Sequence, residues 1–480
     1  MHIRCPSAIL PASREVQGRV ITMYIPHASD LLTQSSIITT PIPLDASPFS
    51  LDASGVSGFF GGDEAISAMA TVHVYKGRRW LGWYNTPGSY EIAKKYGRIA
   101  KSLVFRGLFP GVRSEGAKLF EFDGWQGPRF QAAASGTIMD STGHLASLLM
   151  KECASIKGDL IPGREGPGVG ITIVSLENVP NKAVDIMPLG GCSPVLAIFP
   201  IAVSLATCIT SGVYKDWFAF SLIAWGILSN GISCFVIGSG ALRFTHHIPA
   251  KGSPRGDGIL GSGKEFVILL GDEGAVNSIT VGRFSLVFPS KSYDEYIGYC
   301  SILLSIQFLA QLFLIPQASL FGQIMFMSSL GASWVYNLIL STFDKEKTQQ
   351  RILLHNILGD PSLTKYALTT RTSAVVFALC VLAPDDPRKF LDAYLPNDTK
   401  VWRKWKETVL QKLPANEELR FTGADMNLGR STDEEQELLS TLYEDARAAH
   451  KGYRDQVPPT LGRPTPAQQI SLERANGTAS

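Results

Sequence analysis

The sequence predicts a mainly α membrane protein. It has four transmembrane helices arranged as two antiparallel hairpins, a small cytosolic α+β domain before them and a helical tail after them. Three observations predict this class. Between Glu295 and Asp344 lie 48 consecutive residues without Asp, Glu, Lys, Arg or His. A hydrocarbon core about 30 Å thick takes roughly 20 mostly apolar residues per helix, so this run holds two spans and a turn near Pro316. The window 186–242 is nearly as free of charge, and charged residues make up only 18% of the 480-residue chain, against roughly 25% in soluble domains.

Residues 1–58 are rich in Ser, Thr and Pro without a sustained period, and are expected to be disordered. They contain no apolar run of signal-peptide length, so insertion is expected to rely on the internal helices. Residues 59–190 are expected to form the small α+β domain. Ala70 to Tyr75 and Trp80 to Tyr84 read as paired strands around a turn at 76–79. Tyr90 to Arg106 has helical spacing, and Phe120 to Phe122, Phe130 to Ala132 and Ile171 to Val174 are short strand candidates.

The first hairpin occupies 191–242, with spans at 192–213 and 217–242 parted only by a turn at Lys215 and Asp216. The second occupies 296–343, with spans at 296–315 and 319–342. Tyr214, Trp217, Tyr296 and Tyr299 mark headgroup levels. Four spans put 1–190, 243–295 and 344–480 on one side of the membrane. Arg243, Lys251, Arg255, Lys291, Lys345, Lys347 and Arg351 flank the spans there, while the short turns offer only Lys215. Both termini are therefore expected to be cytosolic, leaving the sequons at Asn397 and Asn476 unused.

Within 243–295, Glu265 to Leu270 and Ala275 to Phe288 read as a β-hairpin turning at 271–274. The apolar run 373–383 is too short to span and reads as a buried or interfacial helix. The tail, 344–454, carries a basic helix at 399–413 and an acidic one at 432–451, the latter opened by a capping box from Ser431 to Glu434. These two helices are expected to pair in the same chain or between copies, or the basic one to lie on an anionic leaflet. Residues 455–480 are expected to be disordered.

No motif names a reaction. The run Gly256 to Lys264 satisfies two phosphate-loop patterns. However, Glu265 stands where the magnesium-binding hydroxyl belongs, and the run opens a strand where a phosphate loop opens a helix. His246 and His247 are adjacent, which is wrong for one metal. Seven cysteines without CxxC spacing fit packing residues. No catalytic residue, metal or cofactor is assigned, and a net charge of +2 gives no field for nucleic acid.

The polar residues inside the spans carry most of the remaining information. Asn230, Gln307, Gln311, Gln323 and Asn337 serve either as hydrogen-bonding glue between helices or as the lining of a polar path. No ionisable group lies deep in the spans, which argues against an energised carrier.

The stretches Asp216 to Ser221, Cys234 to Gly240, Gln307 to Gln311 and Leu320 to Met325 resemble a family of uncharacterised fungal integral membrane proteins. The resemblance runs from about 190 to 455 and implies a multi-span membrane protein, with no activity, fold or site residues. The expected function is a non-enzymatic membrane scaffold or interaction protein whose partner, besides the lipid bilayer, docks on the tail helices. The alternative is a passive transporter or channel for a small solute.

Overall fold

The computed structural model describes residues 60–458, apart from breaks at 76, 101, 112–114, 184–192, 291, 414–417 and 430, plus a few positions between 42 and 51. The disorder expected of 1–58 and of 455–480 falls almost wholly outside the described residues; Asp455 and Gln456 depart from it as the end of the last helix.

In chain order, the elements before the first span are α1 (Gly62–Ala70), α2 (Ser89–Gly97), α3 (Leu103–Leu108), α4 (Gly116–Leu119), β1 (Arg129–Ala132), β2 (Ile138–Met139), α5 (His144–Ser155), β3 (Asp159–Leu160), β4 (Val169–Ser175) and β5 (Lys182–Ala183). The long helices α6 (Ser193–Val213) and α7 (Trp217–Ile237) follow. Then come β6 (Ala241–Thr245), β7 (Gly258–Ser262), β8 (Glu265–Leu270), α8 (Glu273–Thr280) and β9 (Arg283–Val287). The second long pair is α9 (Tyr293–Leu314) and α10 (Leu320–Ser341). The tail comprises α11 (Lys345–Arg351), β10 (Leu363–Leu368), α12 (Arg371–Leu382), α13 (Pro387–Tyr394), α14 (Lys400–Lys412) and α15 (Asp433–Gln456).

The four long helices fall where the uncharged windows predict, and each is long and apolar enough to cross a membrane. The second span ends earlier than expected, at Ile237, because 241–245 is drawn into a three-stranded sheet of order β5-β6-β9. The helices do not pair as two separate hairpins. α6 and α7 pack on each other, but α9 packs mainly on α7 and α2, and α10 on α6, α7 and α1. The short pair α1–α2 thus closes a ring between α9 and α10.

The expectation of a separate α+β domain over 59–190 needs correction. Its strands β1 to β4 join a seven-stranded sheet, β2-β1-β7-β8-β4-β10-β3, that draws on all three long segments of the chain, and β5 joins the three-stranded one. β4 pairs in parallel with β8 (Ile171 opposite Phe266) and antiparallel with β10 (Ile171 opposite Tyr366). The central strands bury both faces, which is why they read as unbroken apolar runs. Ile171, Ile173, Phe266 and Ile268 face a core shared with α12 to α15, while Val174, Val267 and Leu269 face a core shared with α5 and α8. The second core continues through Ile237, Leu242, Phe244, Phe284 and Ile297 into the bundle, so sheet and helices share one interior.

Other corrections are local. Ala70 to Tyr75 alternates like a strand, but it ends α1 and enters a 3-10 turn with Thr71, Val72 and His73 all buried. The helix expected over 90–106 breaks after Gly97 and resumes at Leu103. Phe120 to Phe122 is a turn, with Glu121 at φ +63°. The hairpin in the middle loop is β7–β8, turning at Gly263 and Lys264, whereas 275–288 divides into helix α8 and strand β9. The last helix takes its capping box from Thr432 and Glu435, one residue beyond the expected pair.

The run 373–383 forms α12 up to Leu382, with Ala383 as its C-cap; it is apolar on every side and enclosed by the sheet and α15, so its buried reading holds. The tail helices pair within the chain: Trp405 of α14 is wholly buried and its Nε1–H donates to the Leu442 carbonyl of α15 (2.9 Å). Of the outcomes expected for these helices, pairing in the same chain is the one seen.

Candidate functional site

The polar groups of the long helices converge on a segment that sequence reasoning took for a strand. After a 3-10 turn at Arg78–Trp80, residues 81–88 run as irregular backbone through the middle of the bundle before α2 begins at Ser89. Such backbone is tolerated among apolar helices only where protein satisfies its polar groups. Asn230 of α7 does this, donating from Nδ2 to the carbonyls of Gly82 (2.7 Å) and Tyr84 (3.1 Å). Asn337 of α10 accepts from the Tyr84 hydroxyl (3.0 Å) and donates to Thr86 Oγ1 (3.4 Å).

Asn85 occupies the centre. Its backbone N–H donates to Ser204 Oγ of α6 (3.1 Å) and its Nδ2 to Ser329 Oγ of α10 (2.8 Å). Ser204, Ser329 and the adjoining Gly226 of α7 all lie near the midpoints of their helices, so Asn85 sits at mid-depth. Close approach explains three glycines. A methyl group at Gly226 would overlap Asn85 Oδ1, one at Gly231 the Trp83 ring, and one at Gly82 the Cys234 side chain.

The five amides singled out from sequence thus divide. Asn230 and Asn337 hold the inserted segment. Gln307 of α9 accepts from the Ser229 hydroxyl, and its Nε2, near Gly226 and Asn85, has no partner. Gln311, one turn further along α9, is fully buried with neither Nε2 nor Oε1 partnered, and Asn85 Oδ1 is likewise unpartnered. Gln323 stands apart near the far turn, donating to the Ala318 carbonyl (3.0 Å). The node is therefore assembled from Asn85, Ser204, Ser229, Gln307 and Ser329, with Gln311 adjoining.

Sequence reasoning missed Asn85, Arg78 and Asp216. The signal for Asn85 was legible: from Trp80 to Tyr90 there is no charged residue, and Gly82, Pro87 and Gly88 break the aromatic run. Arg78 is buried against the Tyr336 ring, 5.1 Å from guanidinium to centroid. Asp216, at the opposite end of the bundle, caps two helices. Its carboxylate accepts from Ala219 N in the first turn of α7 (3.1 Å), and from the N–H (2.9 Å) and hydroxyl of Ser319 before α10.

Outside the bundle, the glycine motif is structural: Gly258 to Lys264 makes the β7–β8 hairpin, and Asp257 accepts from Gly271 N–H (2.7 Å) and pairs with Arg255 (3.0 Å). His246 meets the Val179 carbonyl (2.6 Å). A surface hollow near α11 holds His144, whose Nε2 is 2.6 Å from Gln349 Oε1, and Trp125, under Lys151. Among the described residues no group of three His, Cys, Asp or Glu is placed to hold a metal. No protein-family model, curated protein or solved structure matches this chain.

Proposed function

We propose that the chain is a multi-pass integral membrane protein that works as a non-catalytic platform, its bundle anchoring the sheet at one membrane face. The observation that carries this reading is the reversed polarity of the bundle. Its buried interior holds Ser204, Ser229, Asn230, Gln307, Gln311, Ser329 and Asn337. Its exposed surface is Val195, Phe199 and Ile209 on α6, Trp225 and Leu228 on α7, and Ile306, Leu309 and Phe313 on α9. Water selects the opposite arrangement, and an apolar surface of this extent over the long helices suits lipid.

The sheet supports the same topology independently. Its strands come from 129–175, 258–270 and 363–368, which must share one side of a bilayer, and two long helices separate each block from the next. The positive flanks favour the cytosol for that side. The fungal resemblance implies the same class and nothing finer. Two measurements test the reading. The full-length chain should remain in the membrane pellet after carbonate washing, and affinity purification in mild detergent should return a reproducible partner. A carbonate-soluble chain ends the membrane reading; an embedded chain recovered alone and monomeric ends the platform reading.

A second reading, passive passage of a small neutral polar solute, rests on the unpartnered atoms of Asn85, Gln307 and Gln311 at mid-depth. Broken backbone and amide groups at that level are how membrane proteins offer hydrogen bonds to a solute. Reconstituted flux of small polyols or water that falls at least tenfold in Gln307→Ala and Gln311→Ala would carry it. Unchanged flux in folded variants would remove its basis.

A further inference from the structure

The bundle perimeter is apolar around its four long helices and charged across the pair that closes the ring. The outward side chains of α1 and α2 are Asp63, Glu64, Glu91, Lys94 and Lys95, all exposed or half-exposed, while the inward ones, Ala65, Ala68, Met69, Ile92, Ala93 and Tyr96, are buried. This face lies at membrane depth. The ring of Phe60, just before α1, sits 5.2 Å from Trp334 within α10, and that of Tyr90, beside Glu91, 5.1 Å from Phe308 within α9. The exposed neighbours on either side are hydrocarbon-facing residues such as Ile306, Leu309 and Val335.

Charged side chains at that depth are costly against acyl chains and are found facing protein or water. The only ion pair on the face among the described residues is Glu91 with Lys94, at 3.7 Å. The charges are unevenly divided between the helices. α1 carries Asp63 and Glu64 in its first turn, whereas α2 carries Lys94 and Lys95 towards its end and a single acid, Glu91, already paired with Lys94. A two-fold axis along the membrane normal, beside this face, brings α1 of one copy opposite α2 of the other. Acid then meets base twice in one isologous contact.

We propose that the α1–α2 face is the contact between two copies of this chain in the membrane, with Asp63 and Glu64 of each copy against Lys94 and Lys95 of the other. This deepens the platform reading and rests on the bundle lying in lipid. It locates self-association on the bundle, since the tail helices are already paired within the chain.

The test counts copies in nanodiscs wide enough for two, by native mass measurement. The native chain should give two copies per disc, and Asp63→Lys with Glu64→Lys one. Adding Lys94→Glu and Lys95→Glu, which restores opposite signs, should return two. Because lysines in the first turn of α1 oppose its dipole, a second measurement leaves that turn acidic at Asp63. Glu64→Cys with Lys95→Cys should give a covalent dimer in native membranes on oxidation, and neither single variant should do so. A native chain embedded one per disc, a four-fold variant that stays single, or a double-cysteine chain that does not cross-link each overturns the proposal. Failure of the membrane reading would show differently, as a chain released by carbonate.

Discussion

Asn230 shows how much one side chain holds in this bundle. It is the hydrogen-bond donor for two carbonyls of a non-helical segment, and a buried acceptor stripped of its partner costs about 1–3 kcal/mol. Asn230→Leu keeps the volume and removes both bonds, so a loss of about 2–5 kcal/mol in detergent unfolding is expected. Gln323→Leu, which removes one bond to the Ala318 carbonyl, should cost about half as much or less. His73 makes a pH prediction. It lies outside the long helices, fully buried, with Nδ1–H donating to the Gly240 carbonyl (3.1 Å) and Nε2 unpartnered. Burial lowers its pKa from 6.5 to about 4, against the weaker upward pull of that carbonyl. The folded state thus keeps His73 neutral while the unfolded chain protonates it from 6.5 downward. Its contribution is complete above that value and is lost as pH falls towards 4, by about 3 kcal/mol over the window. Comparing thermal unfolding of the native chain and His73→Gln at pH 7.5 and 4.5 checks this: the variant should lose the extra acid sensitivity.

At the scale of elements, the inserted segment depends on backbones without side chains. Gly226→Ala and Gly231→Ala each place a methyl group into Asn85 or Trp83. On an ordinary lipid-facing helix position glycine to alanine is mildly favourable; here each is expected to destabilise by at least about 2 kcal/mol and to open 80–88 to protease or thiol probes. Elements were legible from sequence where one requirement dominated. The four long helices announce themselves because charge is excluded along nearly their whole length, α9 carrying Asp294 and Glu295 only in its first turn. β4 and the run in α12 do so because burial on all sides leaves unbroken apolar stretches. Elsewhere two requirements overlapped. Ala-Thr-Val-His-Val alternates like a strand, yet it is buried on every face and closes a helix. Ala275 to Thr280 looked like the start of a strand, but Asp272 and Glu273 favour a helix start there. For the site, amides in apolar surroundings told that Asn230 and Asn337 need hydrogen-bond partners. The partner expected was a neighbouring helix; it is the segment 82–86, since nothing local tells that 81–88 runs between the helices.

At the scale of the whole molecule, the tail is structural and not an appendage. β10 lies between β4 and β3, and α12 covers the sheet through Val375, Phe377 and Leu379. Removing 344–480 should therefore strip a strand and a core layer from the rest. The expected result is protease sensitivity throughout 129–175 and a steep fall in accumulated protein, checked by limited proteolysis of membranes. A tail that merely docked on the outside would leave that region protected.

The sheet order also dictates when this protein can become itself. As the ribosome delivers the chain, β4 emerges long before either neighbour. β8 arrives only after α6 and α7 have been made, and β10 only after α9 and α10. Contacts so distant along the chain close slowly. Until then an edge of β4 stands unpaired, and an open apolar strand edge invites aggregation. On the proposed topology a chaperone is expected to guard that strand until the last helical pair is threaded: slowing insertion of that pair should leave the nascent chain chaperone-bound, checked by co-purification of stalled chains.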